Sequence, residues 1–157
     1  MSNTNQVYTT YIKTTPEKLW AAITNPEFTR QYWGGHANIS DWKKGSRWQH
    51  EDTNNNLLRI TGEVLECTPP KRLVLSWYAP SNAADISTVT FEIEAIKDTV
   101  RLDVTHGGFI PESVMAGNVS KGWPLVIASL KSYLETGKAI DIMSVKGSCG
   151  GTKVAAA

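Results

Sequence analysis

Apolar residues recur at helical spacing over one long segment near the end of the chain, residues 122–137. Pro124 suits the first turn of a helix and Gly137 suits the position after its end, so the pattern predicts a helix between them. Its apolar stripe, which Val126 and Tyr133 widen, is formed by Trp123, Ile127, Leu130 and Leu134.

Strand-like alternation precedes this helix. Residues alternate between two faces with a period of two, as in half-buried strands, over 46–52, 72–79, 86–96 and 99–106, and a further strand is predicted at 58–67. A strand at 7–14 opens the chain, a short strand is predicted at 37–42, and residues 112–120 fit either helix or loop. Two short helices are predicted after the first strand, the first capped by Thr15 and stopped by Pro26, the second over residues 27–33.

One long helix after an antiparallel run needs a sheet face to pack against, which predicts an α+β domain with a cavity between sheet and helix. We expect this domain to span residues 1–138. Residues 139–157 contain several glycines and no periodicity, and they are interpreted as a flexible tail.

Composition narrows the class of partner. The 157 residues are 41% hydrophobic and carry a net charge of +1, which argues against nucleic acid or an anionic membrane as an obligatory partner, because those need a concentrated basic face. The N-terminus lacks a signal-peptide pattern, and no apolar run is long enough for a membrane span. The two cysteines, Cys67 and Cys149, have no metal-type spacing, and we expect a cytoplasmic protein.

Several motifs together resemble one known family, the Hsp90 ATPase activator homologues of the START-like (SRPBCC) superfamily. The similarity spans about residues 6 to 138, and the segments that carry it are 15–20, 32–34, 61–73, 75–77, 101–109 and 122–137. The resemblance implies a helix-grip (START-like, Bet v-like) fold, in which a curved antiparallel sheet wraps around a long C-terminal helix and two short helices follow the first strand. In that superfamily such cavities hold lipids, hormones or other apolar molecules, and a minority of members are enzymes.

Aromatic residues supply the candidate cavity lining. Six tryptophans are many for this length, and each offers apolar area with one N–H donor. The predicted ligand-cavity residues are Trp33, Trp48, His50, Trp77, Phe91, His106, Trp123, Ile127 and Leu130. The alternative is that the same side chains simply fill the core. Arg59 and Tyr78 are weaker polar candidates.

Histidines are the candidate chemical groups. His106 ends a strand on its apolar face, so it is either a polar anchor for a ligand or a core histidine satisfied by its neighbours. His50 and Glu51 are adjacent on a strand and point to opposite faces, which argues against a shared metal ion. No nucleophile–base set or phosphate loop is present as a motif.

The leading hypothesis is a non-enzymatic protein that holds a small apolar or amphipathic ligand, with no metal and no cofactor. One alternative, which the resemblance implies, is a cofactor of an Hsp90-type chaperone ATPase. Another is an enzyme that acts on an apolar substrate with His106 as acid or base. We expect a monomer or a weak dimer.

Overall fold

A computed structural model describes residues 4–148, in which seven antiparallel strands form one sheet. The strands are β1 (Gln6–Ile12), β2 (His36–Ser40), β3 (Arg47–Asp52), β4 (Leu57–Thr68), β5 (Arg72–Ala79), β6 (Asn82–Ile96) and β7 (Thr99–Gly107). Their order across the sheet is β1-β7-β6-β5-β4-β3-β2, so five consecutive hairpins form a meander and β1 closes one side against β7. The predicted run of strands between the two short helices and the long helix is confirmed.

Two short helices follow β1, as predicted. Helix α1 (Pro16–Thr24) begins after Thr15, whose hydroxyl accepts a hydrogen bond from the Lys18 amide. Helix α2 (Pro26–Tyr32) begins after Asn25, whose side chain accepts from the Glu27 amide. Both helices therefore have a polar cap followed by proline, the arrangement that favours a helix start.

The long helix α3 (Val114–Thr136) begins earlier than the sequence pattern predicts and contains Pro124 in its interior. Proline lacks an N–H and cannot bond to the carbonyl one turn before it, so an interior position costs stability. The helix forms because its N-terminus is doubly capped. Ser113 accepts from the Ala116 amide, and the buried Asp85 carboxylate accepts from the Met115 amide at 2.9 Å. Gly137 ends α3 with a positive φ of 81°, as expected.

Part of the segment predicted to be a flexible tail is structured. Helix α4 (Ile142–Ser148) follows α3, and Ile142 is only 1% exposed within the core. Ser129 on α3 fixes the connection, because its hydroxyl donates to the Ile140 carbonyl and accepts from the Ile140 amide. The sequence did not predict the burial of Ile142, because a single buried residue in a short helix produces no periodic pattern. Residues 149–157 lie outside the described residues.

The core lies between the concave face of the sheet and the inward face of α3. The buried side chains of α3 lie at intervals of three or four residues, at Val119, Trp123, Val126 and Leu130. None of the helices between residues 4 and 148 has both the length and the apolar character needed to cross a bilayer. This architecture is the predicted helix-grip arrangement.

Gly62 on β4 allows two strands to approach closely. It pairs with Trp48 on β3, whose indole N–H donates to the Ser76 carbonyl on β5 at 2.7 Å. That carbonyl lies over Gly62, so a Cβ at this position would be 1.9 Å from the Ser76 oxygen. The position therefore requires glycine, because backbone cannot yield as a flexible side chain would.

We predict that Gly62→Ala destabilises the protein by about 1–3 kcal/mol or more, since the methyl group overlaps the Ser76 carbonyl and disrupts the Trp48 hydrogen bond. Chemical denaturation measures the effect. Gly117→Ala is the matched control, because this helical glycine has open space around its Cβ position. It should stabilise the protein by about 0.5–1 kcal/mol. Equal stability of the Gly62 variant and the parent would contradict the close contact.

Candidate functional site

Trp77 on β5 lies at the centre of the cluster of rings between sheet and helix. Its ring centroid is 5.2 Å from that of Trp48, 5.2 Å from His106, 5.6 Å from Trp123 and 6.5 Å from Trp33. These separations are those of aromatic rings in direct contact. The rings therefore fill the space between one another.

The structure brings most of the predicted cavity residues into this one cluster. Trp33, Trp48, His50, Trp77, Phe91, His106, Trp123 and Leu130 are all buried. Ile127 is only partly buried, and Val126 takes the inward place on α3. With 100° between successive residues, the inward stripe runs through Trp123, Val126 and Leu130 and leaves Ile127 at its flank. That these residues line an occupied ligand cavity stays a prediction.

His106 is a buried histidine with both ring nitrogens satisfied. The Trp123 indole N–H donates to Nδ1 at 3.1 Å, so Nδ1 must carry the lone pair. Nε2 then carries the proton and donates to the Ser87 hydroxyl at 2.8 Å, and this hydroxyl in turn donates to the Trp77 carbonyl. Burial lowers the pKa of His106 from 6.5 to about 3, so the ring is neutral near pH 7.

Ser87 and His106 do not form a nucleophile–base pair despite their short contact. A general base must accept the serine proton, but the nitrogen facing Ser87 already holds a proton. The interpretation of His106 as a satisfied core histidine agrees with this geometry. The same hydrogen bonds leave neither nitrogen available to transfer a proton to a substrate.

His50 belongs to a second polar group at the β2–β3 side of the cluster. Its Nδ1 lies 2.7 Å from the Asn38 side-chain oxygen, and its ring stacks on His36 with centroids 4.8 Å apart. The β2–β3 register places His36 beside His50, and the His36 Nδ1 donates to the Trp33 carbonyl. Burial lowers the pKa of His36. Within residues 4–148 no three metal-ligating side chains converge.

One pocket opens beside the aromatic cluster, at the end of the sheet where α3 begins. Its volume is about 300 Å³, and it is lined by Leu57, Leu58, Arg59, Ile60, Ala79, Pro80, Ser81, Met115 and Asn118. Met115 separates this pocket from the cluster, since its sulfur accepts a hydrogen bond from the Trp77 indole at 3.3 Å. Of these lining residues the sequence suggested only Arg59. Met115 and Asn118 lie in the segment that fitted helix and loop equally, so no face could be assigned to them.

A second, more open groove of about 460 Å³ lies between the short helices and the end of α3. Its apolar surface comes from α1, α2 and α3, and the residues that line it are Lys18, Ala21, Ala22, Phe28, Gln31, Tyr133, Leu134 and Gly137. Tyr133 contacts Phe28 and Tyr32, with ring centroids 6.4 Å and 5.9 Å away. The groove is separate from the aromatic cluster.

The sheet, the gripped helix and the aromatic layer between them define a START-like helix-grip protein. A family model described as activator of Hsp90 ATPase homolog 1-like protein matches residues 13–135. The chain therefore belongs to this family, which confirms the resemblance recognised from its motifs. No curated protein matches the chain.

Solved structures from several organisms share this fold. An HSP90 activator from Plasmodium falciparum is 25% identical over 76% of this chain and 86% of its own, with a TM-score of 0.64. A protein from Mesorhizobium loti is 26% identical over 83% and 96%, with a TM-score of 0.71. The Aha1 dimer from Colwellia psychrerythraea is 20% identical over 87% and 99%, with a TM-score of 0.69, and this likeness shows the fold alone.

We predict that acid destabilises the protein through His106. In the unfolded chain His106 takes up a proton below about pH 6.5, whereas in the folded protein it does so only near pH 3. The contribution of neutral His106 to the free energy of unfolding is therefore fully present above pH 6.5 and is lost as the pH decreases toward 3. The slope from one such group is about 1.4 kcal/mol per pH unit. Chemical denaturation of the parent and His106→Gln between pH 7 and pH 4 should show a shallower dependence for the variant, by about one proton. His36 contributes with the same sign to both proteins, so parallel profiles would contradict the assignment to His106.

Proposed function

We propose that this protein binds a small apolar or amphipathic molecule between the sheet and α3, and that it does so without catalysing a reaction. The observation that carries the proposal is the pocket at the start of α3, which ends on Met115 and, behind it, on Trp77. Ligand pockets are concave and mainly apolar with a few polar groups, and this one has apolar walls with Arg59, Ser81 and Asn118 among its lining residues.

The aromatic cluster would act as the inner wall of this site. Because its rings contact one another, the ligand would meet Met115 and Ile60 first and reach Trp77 only where Met115 moves aside. Methionine suits that position, since its flexible thioether adapts to differently shaped neighbours. Binding would be driven by apolar burial, about 25 cal/mol per Å² before ordering costs.

The state of His106 favours binding over catalysis. A catalytic acid or base needs a free site at the reacting atom and a pKa near the working pH. Both nitrogens of His106 are engaged, and its pKa is lowered to about 3.

The cytoplasmic location expected from the sequence stays a prediction.

A large side chain that fills the pocket should weaken ligand binding. We expect Asn118→Trp to reduce affinity for decanol at least about tenfold, because the indole would occupy much of the space that the alkyl chain needs. Isothermal titration calorimetry measures the affinity, and native mass spectrometry of gently purified protein tests for a ligand carried through purification.

The matched control is Ser120→Trp, which adds the same side chain to an exposed position of the same helix. It should bind decanol as the parent does. Unchanged decanol affinity in a folded Asn118→Trp variant would contradict this pocket as the site.

A second candidate function is that of a cofactor for an Hsp90-type chaperone ATPase. The family match and the similarity to the Plasmodium falciparum HSP90 activator favour it. If it is correct, the purified protein should raise the ATPase rate of an Hsp90-type chaperone in a saturable manner. Absence of stimulation at saturating protein would contradict this candidate, and stimulation that survives Asn118→Trp would show that it does not depend on the pocket.

A further inference from the structure

Arg59 reaches the pocket through an irregularity in the sheet. Along the β3–β4 ladder His50 pairs with Ile60, and the next residue, Glu51, pairs with Leu58. Arg59 is therefore the extra residue of a β-bulge, without a partner of its own on β3. Bulges redirect side chains and occur frequently next to functional sites. Here the bulge places a cation among the otherwise mostly apolar side chains that line the pocket.

The guanidinium of Arg59 is poorly satisfied by the protein. Its Nε atom is buried without a hydrogen-bond partner among the described residues, and its only ion pair is with Asp52 at 4.0 Å, beyond hydrogen-bonding distance. The other arginines in the described part of the chain all donate hydrogen bonds or form ion pairs within 3.3 Å, and they are Arg30, Arg47, Arg72 and Arg101. An arginine that lies beside a pocket and has N–H groups without acceptors can bind an anionic ligand.

The other positive feature of this end of the molecule is already neutralised. The N-terminus of α3 begins beside Met115, but the Asp85 carboxylate accepts from the Met115 amide and from the Ser113 hydroxyl. An anionic ligand would meet a carboxylate at that helix end. Arg59 is thus the group in the pocket that would attract negative charge.

We propose that the ligand of this pocket is an amphipathic anion, with an alkyl or aryl body against the apolar walls and a carboxylate or similar acidic group on Arg59. This inference rests on the proposed function, since it assigns the ligand class of the same site. Leu58, Ile60 and Met115 would contact the body, and the guanidinium would donate two parallel hydrogen bonds to the acidic group.

The test compares decanoate with decanol, which share an alkyl chain and differ in charge. By calorimetry at pH 7.5, we expect the parent protein to bind decanoate about 10- to 100-fold more tightly than decanol, as a charge-assisted hydrogen bond contributes. Arg59→Gln should remove this difference between decanoate and decanol, because the variant loses the charge-assisted hydrogen bond. Arg47→Gln is the control, because this arginine lies on β3 outside the pocket and donates to Thr61.

The outcomes separate the two proposals. Equal affinity for acid and alcohol in the parent protein would overturn the anionic ligand class and leave the apolar site standing. If neither compound binds, both proposals fail. Retention of the decanoate preference in Arg59→Gln would overturn the role of this arginine. The comparison in the parent protein needs no variant, so it decides the ligand class even where Arg59→Gln fails to fold.

Discussion

The hydrogen bond from the Trp123 indole to His106 joins the gripped helix to the sheet at the centre of the core. Both partners are buried, so removing either one would leave a buried polar group without its hydrogen bond and destabilise the protein. The bond also fixes the proton of His106 on the nitrogen that faces Ser87, which continues the polar chain to the Trp77 carbonyl. This one contact thus helps to position α3 over the sheet and sets the tautomer of the histidine, whose neutral state follows from its burial. A chain of satisfied polar groups inside an aromatic core specifies a single register between helix and sheet.

The helices also form hydrogen bonds with both edge strands of the sheet. On β1, the Gln6 side chain donates to the Ala116 carbonyl of α3, and Lys131 of α3 donates to the Tyr11 carbonyl. On β2, the Asn38 amide donates to the Thr29 hydroxyl of α2. Free strand edges are templates for pairing between chains, and here part of each edge is occupied. A weak dimer, which remains an expectation, would therefore be formed more easily through helix or sheet surfaces than through strand addition.

Sequence patterns predicted the elements well where burial is periodic. Strands such as β6 and β7 show the alternation directly, and the caps at Thr15 and Gly137 mark helix boundaries by local chemistry. The start of α3 was predicted too late because Pro124 resembles a first-turn residue. The true N-cap is Ser113, and Asp85 from a distant strand adds a second acceptor. A tertiary contact of that kind leaves no mark in the local pattern.

Site residues were predictable to the extent that they are apolar and inward-facing. The aromatic cluster follows from alternation along β3, β5 and β7, so Trp48, Trp77 and His106 were placed correctly in the interior. The stacking of His36 on His50 depends on the β2–β3 register, and the place of Arg59 depends on a bulge. Register and bulges are set by pairing between strands, which a single strand's sequence does not encode.

Pro124 divides α3 into two halves, and the pocket borders the first of them. After the proline, α3 packs through Val126 and Leu130 into the core, and its last turns meet α1 and α2. Before the proline, the helix is fixed by its caps from Ser113 and Asp85, and Met115 and Asn118 lie over the open end of the sheet. Proline removes one helical hydrogen bond between these halves, and Val119 and Trp123 also pack the first half into the core. The caps and these buried side chains together hold the first half in place, so that Met115 and Asn118 border the pocket to which the ligand is assigned.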